Sequence, residues 1–243
     1  MTELIGIFVT AWAVALSYGL QGQFDANALL LFLSTLAYYA MDHSLDALRF
    51  RAASLSYYLK ICIMLCCLSV LAFGGVLFYF GFMESLLSFM LRFWPTLVTA
   101  VLYVLLRSTT AKGFLILKSL LIVLGVGFAI SFPCMQLKTL IAPLLCWVNV
   151  LVFACMERNK DAELSNANLF DVGFTKKRLM LVLVIVFAAG MIMQWIFFVK
   201  GGLGLSVYAF LSIIILMNES KFRENTYRWW LDALLPVAFL PLG

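Results

Sequence analysis

Eight apolar stretches, at about residues 4–20, 27–46, 60–82, 86–106, 114–133, 139–157, 178–199 and 202–217, follow one another along this chain. Most are close to the roughly 20 residues that a helix needs to cross about 30 Å of hydrocarbon. A water-soluble core could not absorb them. Of the 243 residues, 65% are hydrophobic and 12% charged, against about 45–50% and about 25% in a soluble domain. The solvent is therefore lipid. Strand-like alternation is absent, which excludes a β-barrel. The expected fold is all-α: a polytopic membrane bundle of about nine transmembrane helices. It forms one membrane domain, with two four-helix halves at about 1–110 and 111–220 and a C-terminal element at about 223–243. That last element, "WWLDALLPVAFLPL", is interrupted by Asp232, Pro236 and Pro241. It fits a short span, an interfacial helix or a re-entrant piece.

The first stretch, "LIGIFVTAWAVALSYGL", has no basic leader, follows Glu3 and ends without a small-x-small cleavage pattern. It is expected to be a retained span. Counting from it, the loops after the second, fourth, sixth and eighth stretches share one side with the N-terminus. That side holds Arg49, Arg51, Lys60, Arg107, Lys112, Arg158, Lys160, Lys176, Lys177, Arg178, Lys221, Arg223 and Arg228, while the other has Lys138 and Lys200. Lys and Arg accumulate in cytoplasmic loops. The N-terminus and those four loops are thus expected in the cytoplasm, and no nucleic-acid partner is expected.

The six cysteines lie in or beside apolar segments, without histidine or carboxylate near "CIMLCC". They read as small, polarizable packing residues. A disulfide framework would belong to a small secreted domain.

Charge inside a spanning helix is costly and usually faces a bundle interior or a watery cavity. Asp42 and Asp46 close the second stretch four residues apart, which puts both on one helical face, with Tyr38 a turn deeper and Arg49 a turn further out. Glu157 and Asp161 repeat the spacing at the end of the sixth stretch, with Asn149 and Phe153 continuing that stripe inward. Each half therefore carries an acidic pair at the end of its second helix, and repeats with polar sites at their interface are a known membrane architecture. Four converging carboxylates would repel unless a cation shared the site. Mg²⁺ is held by a few carboxylates plus substrate phosphates, so such a site could take a diphosphate whose hydrocarbon tail lies in the bundle. Arg49, Arg51, Arg158, Lys160 and Lys118 could balance the phosphate charge. Either pair alone could equally solvate a loop or pair with nearby Lys and Arg.

On these motifs the chain resembles the UbiA-type superfamily of intramembrane prenyltransferases. That family has nine transmembrane helices and aspartate-rich motifs at the cytoplasmic ends of helices 2 and 6. "DHSLD" matches the last two aspartates of N-D-x-x-D-x-x-x-D, and "ERNKD" matches D-x-x-x-D with Glu157 first. Tyr38 and Tyr39 stand where the family has Asn and Asp. A divergent bacterial branch is more similar, through Lys118 in "FLILKSLL", Asn149 in "CWVNVLVFACMER" and the C-terminal "YRWWLDALLPVAFLPL". The resemblance implies Mg²⁺-dependent transfer of a prenyl chain from an allylic diphosphate to a lipophilic, possibly aromatic, acceptor. It assigns Asp42, Asp46, Glu157 and Asp161 to metal binding and catalysis, and Tyr38, Arg49, Lys118, Asn149, Arg158 and Lys160 to the substrate. The alternative is a catalytically inactive subunit or lipid-binding scaffold of a membrane complex.

Several polar residues keep two roles. Lys118 could snorkel to the interface or touch a diphosphate. Asn149 could bridge helices or contact substrate. Asp232 reads as an interfacial anchor pairing with Arg228, and Arg92 and Pro95 read as a helix end or kink. One histidine, His43, is too few for a histidine-type membrane phosphatase.

Overall fold

A computed structural model describes residues 2–20, 25–50, 55–107, 113–131, 141–163, 174–197, 201–221 and 226–239. All regular structure among them is helical. The helices are α1 (Thr2–Gly19), α2 (Ala26–Phe50), α3 (Leu55–Tyr79), α4 (Phe82–Arg107), α5 (Gly113–Ser131), α6 (Ile141–Glu163), α7 (Lys176–Trp195), α8 (Gly202–Met217) and α9 (Thr226–Leu234). Short 3-10 turns follow at Glu219–Lys221 and Leu235–Phe239. Each of the eight apolar stretches becomes one of α1 to α8.

Local chemistry explains several ends. Asp25 caps α2, accepting from the Ala28 N–H at 3.2 Å, and Thr175 caps α7 through the Arg178 N–H at 3.3 Å. The chain turns from α3 into α4 at Gly81 (φ 91°) and enters α8 from Gly201 (φ 99°), a conformation that glycine adopts without a Cβ clash. Hydroxyls within the apolar helices bond back to the preceding turn: Thr10 to Gly6 O, Ser17 to Ala13 O, Ser44 to Ala40 O and Ser69 to Leu65 O. This satisfies them where no water is at hand.

Among the described residues three helices are long and apolar enough to cross a membrane, over Tyr57–Tyr79, Phe82–Leu106 and Lys176–Trp195, and under a quarter of the most apolar stretch of each is buried. Leu71, Phe78, Leu105 and Trp195 are among the apolar side chains left uncovered. Uncovered apolar surface on this scale suits lipid and not water. The described residues thus form an all-helical molecule with three helices fit to cross a membrane.

The chain divides into two compact units, Met1–Arg92 and Phe93–Gly243. In the first, α2 packs against α1 and α3 around Ile7, Ala11, Leu36 and Cys62, with Tyr39 and Tyr58 against them. Phe73 and Phe89 join α3 to α4 edge-to-face, with ring centroids 5.2 Å apart. Of the helix end or kink read at Arg92 and Pro95, the structure shows no end: α4 passes through both.

In the second unit, small residues set the crossings. A Cβ on Gly127 would stand 2.8 Å from Pro143 Cγ, so α5 and α6 meet there. A Cβ on Gly190 would stand 2.6 Å from the Gly202 carbonyl oxygen, so α7 and α8 touch backbone to backbone. Ser206 adds a hydrogen bond to Phe187 O at 2.8 Å. Thr96 of α4 donates to Gly125 O of α5 at 3.1 Å. The nine residues of α9 reach about 14 Å, half of a hydrocarbon core. Instead of spanning, α9 docks on α6 and α8 and buries Tyr227, Leu231 and Asp232, with Leu235 and Pro236 of the following turn. Cys62, Cys146 and Cys155 are buried; Cys134 lies outside the described residues.

Candidate functional site

The acidic turn of α2 stands above the aromatic part of the first unit's core. Asp42 is half-buried, and so are Tyr38 and Tyr39 a turn below it, their rings edge-to-face at 5.9 Å. His43 turns to α3, where its Nδ1 lies 2.8 Å from the Tyr58 hydroxyl. Which atom donates follows from the imidazole tautomer. This bond ties α2 to α3 beside Asp42, and it accounts for the chain's one histidine. The helix continues unbroken through Asp46 and Arg49 to Phe50; the side chains of Asp46 and Arg49 lie outside those described.

On α6 the stripe from Asn149 through Phe153 meets the C-terminal element. Phe153 lies against Tyr227, with ring centroids 6.2 Å apart. Asn149 donates from Nδ2 to Asp232 Oδ1 at 3.0 Å, and the Tyr208 hydroxyl donates to Asn149 Oδ1 at 2.6 Å. All three are buried, with exposures of 7%, 6% and 0% for Asn149, Asp232 and Tyr208. The donors and acceptors run one way, from phenol to amide to carboxylate, so the amide has a single orientation. Three elements, α6, α8 and α9, meet in this relay. Of the two roles open to Asn149, the structure shows the helix–helix hydrogen bond. Asp232 is a buried partner of Asn149, and its expected pairing with Arg228 rests on a side chain outside those described.

Sequence reasoning did not bring Tyr208 into this group. The signal was Asp232 itself: a carboxylate within an apolar segment needs a partner. Its identity was not legible, since Asn149 lies 83 residues away along the chain.

Helix α6 stays helical through Glu157 and Asp161 to Glu163. Arg158 is exposed. The side chains of Glu157, Lys160, Asp161 and Lys118 lie outside those described. Among the described residues no group of three His, Cys, Asp or Glu side chains forms a metal site. At the start of α7, Lys176 bridges to Glu219 at 2.6 Å, joining that end to the turn after α8. Comparison of the chain with protein-family models, with curated proteins and with solved structures finds no match.

Proposed function

We propose that the chain is a divergent UbiA-like prenyltransferase, moving a prenyl chain from an allylic diphosphate to a lipophilic acceptor in a bacterial inner membrane. Its helices would form two four-helix halves plus the docked C-terminal element, with the N-terminus and both acidic motifs cytoplasmic. The observation that carries this reading is the continuity of α2 to Phe50 and of α6 to Glu163. Helix through both pairs keeps Asp42 with Asp46, and Glu157 with Asp161, one turn apart. These are hard oxygen donors, the kind that Mg²⁺ takes together with phosphate oxygens, and they would hold it. Bound there, the ion would neutralise a departing diphosphate. Arg49, Lys118, Arg158 and Lys160 would steady the diphosphate by charge-assisted hydrogen bonds. The apolar helices would shield the reacting allylic carbon from water.

The test is transfer of a labelled prenyl group by the purified chain in lipid with Mg²⁺. Asp46→Asn and Asp161→Asn should each abolish it while the melting temperature stays near wild type, and chelation should abolish it too. Full activity in either variant rejects the assignment. The second reading, an inactive scaffold within a membrane complex, draws on Tyr38 and Tyr39, which put aromatic rings where the family keeps Asn and Asp. It predicts co-purification with a stoichiometric membrane partner and no Mg²⁺-dependent transfer.

A further inference from the structure

Arg92 sits far inside α4, ten residues from Phe82 and fifteen from Arg107. At the helical rise these are about 15 Å and about 22 Å along the axis. In the three long apolar spans Lys60, Lys176, Lys177 and Arg178 stand within the first two turns, and Arg92 is the basic residue nearest mid-helix. Its neighbours Leu91 and Trp94 are uncovered, whereas Arg92 is half-buried, so the guanidinium lies at the edge of a lipid-facing surface. The contact that holds it is an aromatic face: its Cζ stands 5.2 Å from the ring centroid of Tyr18, and the Tyr18 side chain is fully buried. Its Nε is buried and has no hydrogen-bond partner among the described residues. Among the described residues no carboxylate pairs with it.

A ring face attracts a cation without cancelling its charge. An arginine keeps that charge at every accessible pH and presents donors in a planar fork that matches phosphate. An intramembrane cation normally has a counter-charge or serves a ligand. We propose that Arg92, seated on Tyr18, is a binding site for the phosphate group of a membrane lipid, reached from the lipid-facing side of α4. The chemistry admits a glycerophospholipid or a prenyl phosphate, since both present the same anionic oxygens beside a hydrocarbon chain. Tyr18 holds one side of the guanidinium, and the anion would approach from another. The site does not rest on the prenyl-transfer reading, as it uses none of the acidic pairs.

The full chain, purified in detergent and stripped of lipid, is titrated with phosphatidylglycerol, with a prenyl diphosphate and with diacylglycerol of matched chain length. Native mass spectrometry counts the bound copies. At least one of the two phosphate-bearing lipids should bind in a single tight copy, and diacylglycerol should not. Arg92→Gln should weaken that binding about tenfold, the scale of one lost charge-assisted hydrogen bond. Tyr18→Leu should weaken it less, and Arg92→Lys should retain part of it. Retention of phosphatidylglycerol alone identifies a resident membrane lipid, and retention of the prenyl diphosphate alone identifies a substrate-like ligand; both support a phosphate site. Equal binding of diacylglycerol by the wild type overturns the proposal, as does unchanged binding in Arg92→Gln or, if that variant does not fold, in Tyr18→Leu.

Discussion

Asn149 is held at both ends of its amide, and that makes it the residue whose loss is felt most widely in the second unit. Asn149→Leu would leave the Tyr208 hydroxyl and one Asp232 oxygen without it in an apolar surround, at a cost of about 2 kcal/mol. Tyr208→Phe removes a single donor, and bonds between membrane helices average about 0.6 kcal/mol. The two losses share one bond, so the double variant should cost less than their sum, by about 0.5 kcal/mol or more. Denaturant unfolding in detergent micelles measures the three values, and strict additivity would mean that the relay is not coupled. The candidate residues were legible to different depths. Asp42 and Asp46 stand out because charge at the end of an apolar run is conspicuous. Tyr208 does not, because a tyrosine among apolar residues resembles any other aromatic until a partner is brought to it.

Helix positions were largely readable from hydropathy. The stretch expected at 202–217 is α8 at Gly202–Met217, and those expected at 86–106 and 114–133 are α4 and α5, shifted by a few residues. Of the end or kink that Arg92 and Pro95 left open, no end occurs, because in lipid a helix can continue through a charge and a proline when neighbours satisfy what is freed. Crossing points were not readable. Gly190 and Gly75 both lie in apolar helices with the same surrounding composition, yet a Cβ on Gly75 would meet nothing within 4 Å while one on Gly190 would strike the backbone of α8. Gly190→Ala should therefore destabilise the α7–α8 pair by about 1–3 kcal/mol. Gly75→Ala should be neutral or slightly stabilising through its better helix propensity, by up to about 1 kcal/mol. Unfolding of the two variants side by side decides this; equal effects would refute the close approach.

For the whole molecule, solvent and sidedness dominate. Basic residues concentrate in alternate loops, so an alkaline phosphatase fused after Phe80 should be active in the outer compartment and one fused after Arg107 inactive. The reverse pattern would invert the proposed orientation. Composition and hydropathy alone pointed to lipid as the solvent and marked the elements as helices, because burying a peptide group in hydrocarbon demands that each helix satisfy its own backbone. They also marked the two acidic pairs, since charge at a membrane boundary stands out against an apolar background. Only the tertiary structure decided which helix faces are covered, where glycines let backbones touch, and that the C-terminal element docks on α6 and α8 instead of spanning. It also decided that Asn149 meets Asp232 and that Arg92 rests on Tyr18. Those outcomes depend on contacts between residues far apart in the chain, and no local pattern of apolar and polar residues encodes which distant side chain will be the partner.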